Sequence, residues 1–168
     1  VPTSYTAMSL IGELDRADSS YLHSVLSKHA SGVYVLPAPY APDEAELASS
    51  PKIARMLTTL CSVFDFVVVD AGNEFTDVTL PALDLAEHLL LVTLPNLPAV
   101  RNTKRTLELF GRLNYDSSKI IIVVNRYDAK EQLSQKTIEE ALGRPVQWTI
   151  PNNYLTVARA INQGTAVR

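Results

Sequence analysis

The sequence predicts an α/β fold in which helices cover both faces of a mostly parallel sheet. Three short apolar runs are continuous rather than alternating: Val67–Val69, Leu89–Val92 and Ile120–Val124. Continuous runs are typical of strands that are buried on both faces, as in parallel sheets. Helical patterns separate the runs, and strands that alternate with helices indicate βαβ units.

The elements follow from these patterns and from the residues that interrupt them. The predicted strands are Val33–Leu36, Phe64–Asp70, His88–Thr93, Lys119–Asn125 and Val146–Ile150. The predicted helices cover Ser4–Leu14, Ser20–His29, a segment with Ser50 as N-cap before Pro51, Thr79–Ala86, a segment from Leu97 to about Gly111, Thr137–Leu142 and a last helix from Asn152-Asn153. Proline in the first turn and glycine after the last turn are common at helix ends. No linker divides the pattern, so we predict one domain over residues 1–168.

Composition restricts the class of protein. The 168 residues are 46% hydrophobic and 20% charged with a net charge of −3, which argues against a surface that coats nucleic acid. No apolar run approaches the ~20 residues that span a bilayer. Cys61 lies in an apolar helical pattern and is predicted to be a buried core residue. The start at Val1 has no signal-peptide pattern, and we expect the chain to begin within a domain.

An acidic residue ends the second predicted strand. Asp70 follows three valines and precedes Ala-Gly, at the carboxyl end of a strand where open α/β sheets bind ligands. In nucleotide-hydrolysing proteins with a phosphate loop, an aspartate at this position helps to hold Mg²⁺. The alternative is an aspartate that caps a helix or orders a loop. The phosphate loop itself, G-x-x-x-x-G-K-[ST], does not occur in the sequence.

Polar residues also follow the last two strands. Asn125 and Arg126 end the run of isoleucines and valines, and an amide offers the donor and the acceptor that match an adenine edge. Pro151 and Asn153 come after the last strand, where they could flank a base. Each asparagine has an alternative role, Asn125 as a turn former and Asn153 as a helix N-cap.

Two further groups have ordinary explanations. A basic cluster, Arg101, Lys104 and Arg105, lies at helical spacing and could contact phosphate, an acidic partner or DNA, although a solvated helix face is the commoner case. None of the three histidines has a partner at the spacing of a metal site.

Several segments, taken in order, resemble the MinD/ParA family of deviant-Walker P-loop ATPases. The resemblance runs from about Thr3 to Ala166 and is greatest to the CpaE/TadZ branch, which serves pilus assembly and polar localisation. The segments are Phe-Asp-Phe-Val-Val-Val-Asp, Leu-Leu-Leu-Val-Thr-Leu-Pro with Arg101-Asn102, Val-Val-Asn-Arg and Ile-Pro-Asn-Asn-Tyr. The resemblance implies a Rossmann-like, three-layer P-loop NTPase fold, a bound ATP or ADP with Mg²⁺, and a homodimer formed around two nucleotides.

The resemblance also implies roles for individual residues. Asp70 matches the Walker B aspartate, which acts in catalysis and holds Mg²⁺ through water, and Gly72 and Asn73 match the catalytic loop that senses the γ-phosphate. Asn125 matches the asparagine that reads adenine, with Arg126 as its usual companion.

Pro151 and Asn153 match the segment that flanks the base. The family's Walker A loop is expected upstream of Val1, so we regard the domain as N-terminally truncated. We predict that this chain alone binds ATP weakly or not at all and does not hydrolyse it, whereas the full-length protein is an ATPase.

The leading functional hypothesis is a regulatory ATPase of Flp/Tad-type pilus assembly or secretion, a cytoplasmic dimer that can occupy the cell pole. One alternative is a non-catalytic localisation scaffold of the same family. Another is an ATPase of chromosome or plasmid partitioning or of septum-site selection. A phospho-acceptor receiver domain is a fourth, which lacks its expected acidic pair and strand-end lysine here. Pilus or secretion proteins are the expected partners; DNA is not expected, and membrane association has no support in the sequence.

Overall fold

The structure, a computed structural model, describes residues 5–39, 48–128 and 133–167. The chain divides into two compact units, Val1–Ala86 and Glu87–Arg168. Within the described residues, no helix combines the length and the apolar character that a membrane crossing requires.

The first unit is mainly helical. Its helices are α1 (Ala7–Gly12), α2 (Ser19–Val25), α3 (Ser50–Val63) and α4 (Leu80–Leu85), and a 3₁₀ turn covers Leu14–Arg16. Thr6 and Ser9 form a reciprocal capping box at the start of α1. The buried core is built from aliphatic residues of α1, α2, α3 and the segments beside them: Leu10, Ile11, Leu14, Leu22, Leu26, Ile53, Met56, Leu57 and Leu60.

A short antiparallel ribbon completes the first unit. Strand β1 (Ser27–Lys28) pairs with β2 (Tyr34–Val35), and Gly32 adopts a φ of 95° in the connecting turn, a conformation that glycine tolerates without a steric penalty. The predicted strand over Val33–Leu36 is therefore present as β2. It does not belong to the parallel sheet, as was predicted, but to an antiparallel ribbon. The prediction of helix up to His29 is also wrong, since the chain turns into β1 after α2.

The second unit contains the parallel sheet. Strands β3 (Leu89–Thr93), β4 (Ile120–Tyr127) and β5 (Trp148–Pro151) are ordered β3-β4-β5. The connecting helices are α5 (Leu97–Arg112) and α6 (Gln135–Leu142), and α7 (Tyr154–Gln163) follows β5. The predicted α/β class with a mostly parallel sheet is confirmed.

Helices α5 and α6 cover one face of this sheet. Their apolar side chains and those of β4 form a buried core. Its members are Val100, Ile122, Val124, Ile138, Leu142 and Val146. Near its carboxyl end, β4 carries an irregularity in its pairing with β5, which we call the β4 bulge. The flanking register pairs are Val124–Thr149 and Tyr127–Pro151. Two residues of β4, Asn125 and Arg126, therefore stand opposite one residue of β5.

Two other sequence predictions differ from the structure. The segment Phe64–Asp70 is not a strand, and its alternate side chains Phe66 and Val68 are 91% and 90% exposed. Cys61 is exposed rather than buried, because the core face of α3 is formed by Met56, Leu57 and Leu60.

Candidate functional site

The carboxyl edge of the parallel sheet gathers the polar residues that the sequence singled out in the second unit. Parallel strands end at the same edge, so the residues after β3, β4 and β5 become neighbours along it. Asn125 and Arg126 lie in the β4 bulge, and Pro151 is the last residue of β5. The Asn152 backbone N–H donates to the Tyr127 carbonyl at 3.1 Å, which ties the chain after β5 to the end of β4.

Asparagines cap both helices that leave this edge after β3 and β5. Asn96 caps α5, and its Oδ1 accepts from the Ala99 N–H at 2.9 Å. Asn153 caps α7, and its Oδ1 accepts from the Thr156 N–H at 3.3 Å. The capping role that the sequence allowed for Asn153 is thus present, and the two helix N-termini give the edge a positive potential.

A buried hydroxyl lies at the end of β3. Thr93 is 4% exposed, and its Oγ1 has no hydrogen-bond partner within the described residues. A buried hydroxyl without a partner loses its hydration free energy without compensation. A water molecule or a polar group of a ligand could supply the missing hydrogen bond. Thr93 was not singled out from the sequence.

Asn125 presents its side-chain amide in a fixed orientation. Its Oδ1 accepts a hydrogen bond from the Arg126 backbone N–H at 2.8 Å. Oδ1 keeps a second lone pair, and Nδ2 carries two donor hydrogens. The amide therefore has the acceptor and donor that a purine edge requires, and it lies half-buried at the sheet edge.

Tyr127 anchors this region, and the sequence analysis did not single it out. Its hydroxyl oxygen accepts from the Gln135 backbone N–H at 3.3 Å, at the first turn of α6. Gln135 in turn donates to the Glu139 carboxylate at 3.0 Å, and the Val146 N–H donates to the same oxygen at 2.9 Å. The Gln135 bond, followed by the Val146 bond, lowers the pKa of the Glu139 carboxyl below its ordinary value.

The three predicted catalytic residues lie in the first unit, in the segment that follows Phe64–Val69. Asp70 is exposed, and its Oδ1 lies 3.4 Å from the Gly72 N–H. Gly72 adopts a φ of 68°, a left-handed conformation that suits glycine. This weak local contact fits the loop-ordering alternative for Asp70 and leaves its other oxygen available.

Asp70 and the sheet edge are each described by their own chemistry toward Mg²⁺ or a nucleotide. Mg²⁺ is commonly held by one or two carboxylates together with phosphate oxygens and water, and an exposed Asp70 meets that requirement. Within residues 5–39, 48–128 and 133–167, no group of three or more His, Cys, Asp or Glu residues could hold a metal ion by itself. The polar sheet edge with its unpartnered Thr93 Oγ1 fits a base or a sugar.

Sequence comparison finds several MinD proteins and an uncharacterised ATP-binding protein of Methanocaldococcus jannaschii. MinD, the septum site-determining protein of Thermotoga maritima, is 26% identical over 159 residues, which are 89% of this chain and 55% of that protein. No protein-family model matches the chain. The chain thus spans little more than half of the curated relatives that it matches.

Structure comparison shows that solved structures share the fold of this chain. A ParA family ATPase from Chlorobium tepidum superposes with a TM-score of 0.93 at 23% identity, covering 99% of this chain and 70% of that one. The chain is therefore similar in sequence to MinD proteins and similar in fold to ParA and MinD ATPases. The Aquifex aeolicus MinC:MinD complex has a TM-score of 0.73 at 19% identity, covering 97% of this chain and 64% of that chain.

Proposed function

We propose that this chain is the larger part of a MinD/ParA-type ATPase that acts as a nucleotide-dependent positioning switch. The observation that carries the proposal is the meeting of Asn125, Arg126, Pro151 and Asn153 at one carboxyl edge of a parallel sheet. Ligands bind at such edges in open α/β folds. The named MinD and ParA relatives support this assignment.

In this proposal each predicted site residue has a separate role in nucleotide binding or hydrolysis. Asn125 reads the adenine base, and Pro151 and Asn153 lie beside it. Asp70 holds Mg²⁺ through water, and Gly72 and Asn73 respond to the γ-phosphate. Bound Mg²⁺–ATP supplies a phosphoryl group that water can attack, a reaction that depends on positioning and charge stabilisation.

Septum-site selection is the biological role that we propose, in preference to pilus assembly. The relatives that match the chain in sequence include several MinD proteins, whose names state septum-site determination. The net charge of −3 argues against chromosome partitioning, because that role needs a surface that retains DNA. We further propose that the switch is a homodimer that docks a second protein, as the Aquifex MinD structure contains MinC.

A non-catalytic scaffold of the same family is the second candidate. The 3.4 Å contact between the Asp70 Oδ1 and the Gly72 N–H supports this candidate, because a loop-ordering role does not require Mg²⁺. The sequence of the parent gene about 60 residues upstream of Val1 separates the two. An intact Gly-Lys-Gly-Gly-x-Gly-Lys loop there supports the ATPase, and a degenerate loop supports the scaffold.

Binding of nucleotides to this chain tests the site itself. Calorimetric titration is expected to show that adenosine monophosphate (AMP) binds in the millimolar range and that ATP with Mg²⁺ binds no more than tenfold tighter, because the chain lacks a phosphate loop. Asn125→Ala should abolish the preference for adenine over guanine nucleotides. Micromolar ATP affinity would contradict the predicted weak binding, and an unchanged preference in the Asn125 variant would contradict the site.

A further inference from the structure

The two outer strands of the parallel sheet, β3 and β5, differ in how well they are protected against pairing with another chain. Natural proteins protect an outer strand by making it short, or by placing proline, charged side chains or bulges in it. Strand β5 has four residues and ends in Pro151, which has no N–H to donate. Strand β3 has five residues without a proline or a charge, and its register with β4 is regular. It carries none of these protective features.

The side of β3 that faces away from β4, which we call the β3 edge, combines free backbone groups with exposed apolar side chains. Within the described residues, β4 is the only strand that pairs with β3. Leu90 and Val92 are 52% and 56% exposed, whereas Leu89 and Thr93, on the opposite face, are buried. Free N–H and C=O groups beside apolar side chains are the features that allow a further strand to be added to a sheet.

A second copy of β3 fits this edge in an antiparallel orientation. Directly opposite residues of adjacent strands point to the same face of a sheet, so the exposed residues of one copy must meet the exposed residues of the other. The register in which Leu91 faces itself satisfies this condition and pairs all five residues. It places Leu90 opposite Val92 of the second copy, and no like charges oppose each other. The arrangement has a two-fold axis, so both copies use the same surface.

We propose that the β3 edge pairs with the β3 edge of a second copy of this chain and joins the two sheets into one continuous sheet. The inference does not rest on the proposed function, because the pairing requires no nucleotide. A pair of five-residue strands is a small contact, and small interfaces are typical of transient complexes. We therefore expect a weak dimer that forms as the protein concentration rises.

Sedimentation velocity without nucleotide, over a range of protein concentrations, tests the position of the contact. Every chain carries Val68→Lys, so that the exposed Phe64–Asp70 segment does not contribute to association. Val92→Lys is expected to weaken dimer formation by about fivefold or more, because it places a charge in the apolar pair. Ile150→Lys is the matched control, since Ile150 is a similarly exposed apolar residue of the other outer strand. Equal weakening by both substitutions, or none by Val92→Lys, would overturn the inference.

Mixing two variants tests the register and separates lost pairing from lost folding. A Leu90→Glu chain and a Val92→Lys chain should each dimerise poorly alone. Their mixture should associate about fivefold or more tightly than either chain alone, because the register places the new carboxylate opposite the new ammonium group. A mixture of Leu90→Glu with Ile150→Lys should show no such gain. Equal association in the two mixtures, or no gain in either, would overturn the proposed pairing.

Discussion

Asparagine side chains begin the two helices that leave the sheet edge after β3 and β5, and Asn96 has the shorter cap bond. Asn96→Ala is expected to lower the free energy of unfolding by about 1 kcal/mol, because the Ala99 N–H loses its acceptor. Asn96→Asp should keep the cap and add a favourable interaction with the helix dipole. Urea denaturation measures both variants, and equal stability of the two would contradict a capping role.

The Glu139 carboxylate gives stability a defined pH dependence. Its pKa is lowered in the folded state, first by the Gln135 hydrogen bond and then by the Val146 N–H. A depressed pKa favours the folded state above the ordinary value of 4.5, and the contribution is lost as pH falls through the folded value. We expect the stability difference between wild type and Glu139→Gln to shrink between pH 6 and pH 3, measured by urea denaturation. A difference that is constant with pH would show that ionisation of Glu139 has no part in it.

At the scale of the element, β4 is the central strand and its inward face forms the core of the second unit. Ile122 is fully buried there, so Ile122→Ala is expected to cost about 2–5 kcal/mol through lost burial and a cavity. Leu90, on the neighbouring strand β3, is 52% exposed, and Leu90→Ala should cost less than about 1 kcal/mol. Thermal and urea unfolding measure the stability of both variants. Similar losses of stability would mean that the exposed sheet face is covered in solution.

The elements also show what the sequence could predict. The runs at Leu89–Thr93 and Ile120–Val124 gave the parallel strands correctly, because each run is long, apolar and rich in branched residues. The similar run at Phe64–Asp70 does not form a strand. A strand needs a neighbouring backbone to pair with, whereas an apolar run in the sequence indicates only that its side chains favour burial. Asn153 was predictable as a cap from its residue type. The β4 bulge was not predictable. Its residue with a positive φ is Arg126, and arginine is not a residue type that indicates this conformation in a sequence.

At the scale of the whole molecule, the Phe64–Asp70 segment presents apolar side chains without strand partners in the described part of the chain. Exposed apolar side chains on an unpaired extended segment favour association between molecules. Val68 is 90% exposed, and Val68→Lys is expected to reduce concentration-dependent self-association in sedimentation velocity experiments.

Thr58→Lys provides the control for that substitution. Thr58 is exposed on α3, so its replacement adds the same positive charge away from the extended segment. Reduced association in both variants would show that the added positive charge is responsible. No change in either variant would show that the Phe64–Asp70 segment does not mediate contacts between molecules.

The order of the strands along the chain has a consequence for the rate of folding. The β1–β2 ribbon joins Lys28 to Tyr34, a closure within a few residues. The parallel sheet must bring Leu89 to Ile120 and Val123 to Trp148 across intervening helices, and such distant contacts slow folding because chain entropy is lost before they form. Pulse-labelling hydrogen exchange during refolding should therefore find the ribbon amides protected first and the β4 amides later, with α5 and α6 formed before the sheet that they connect.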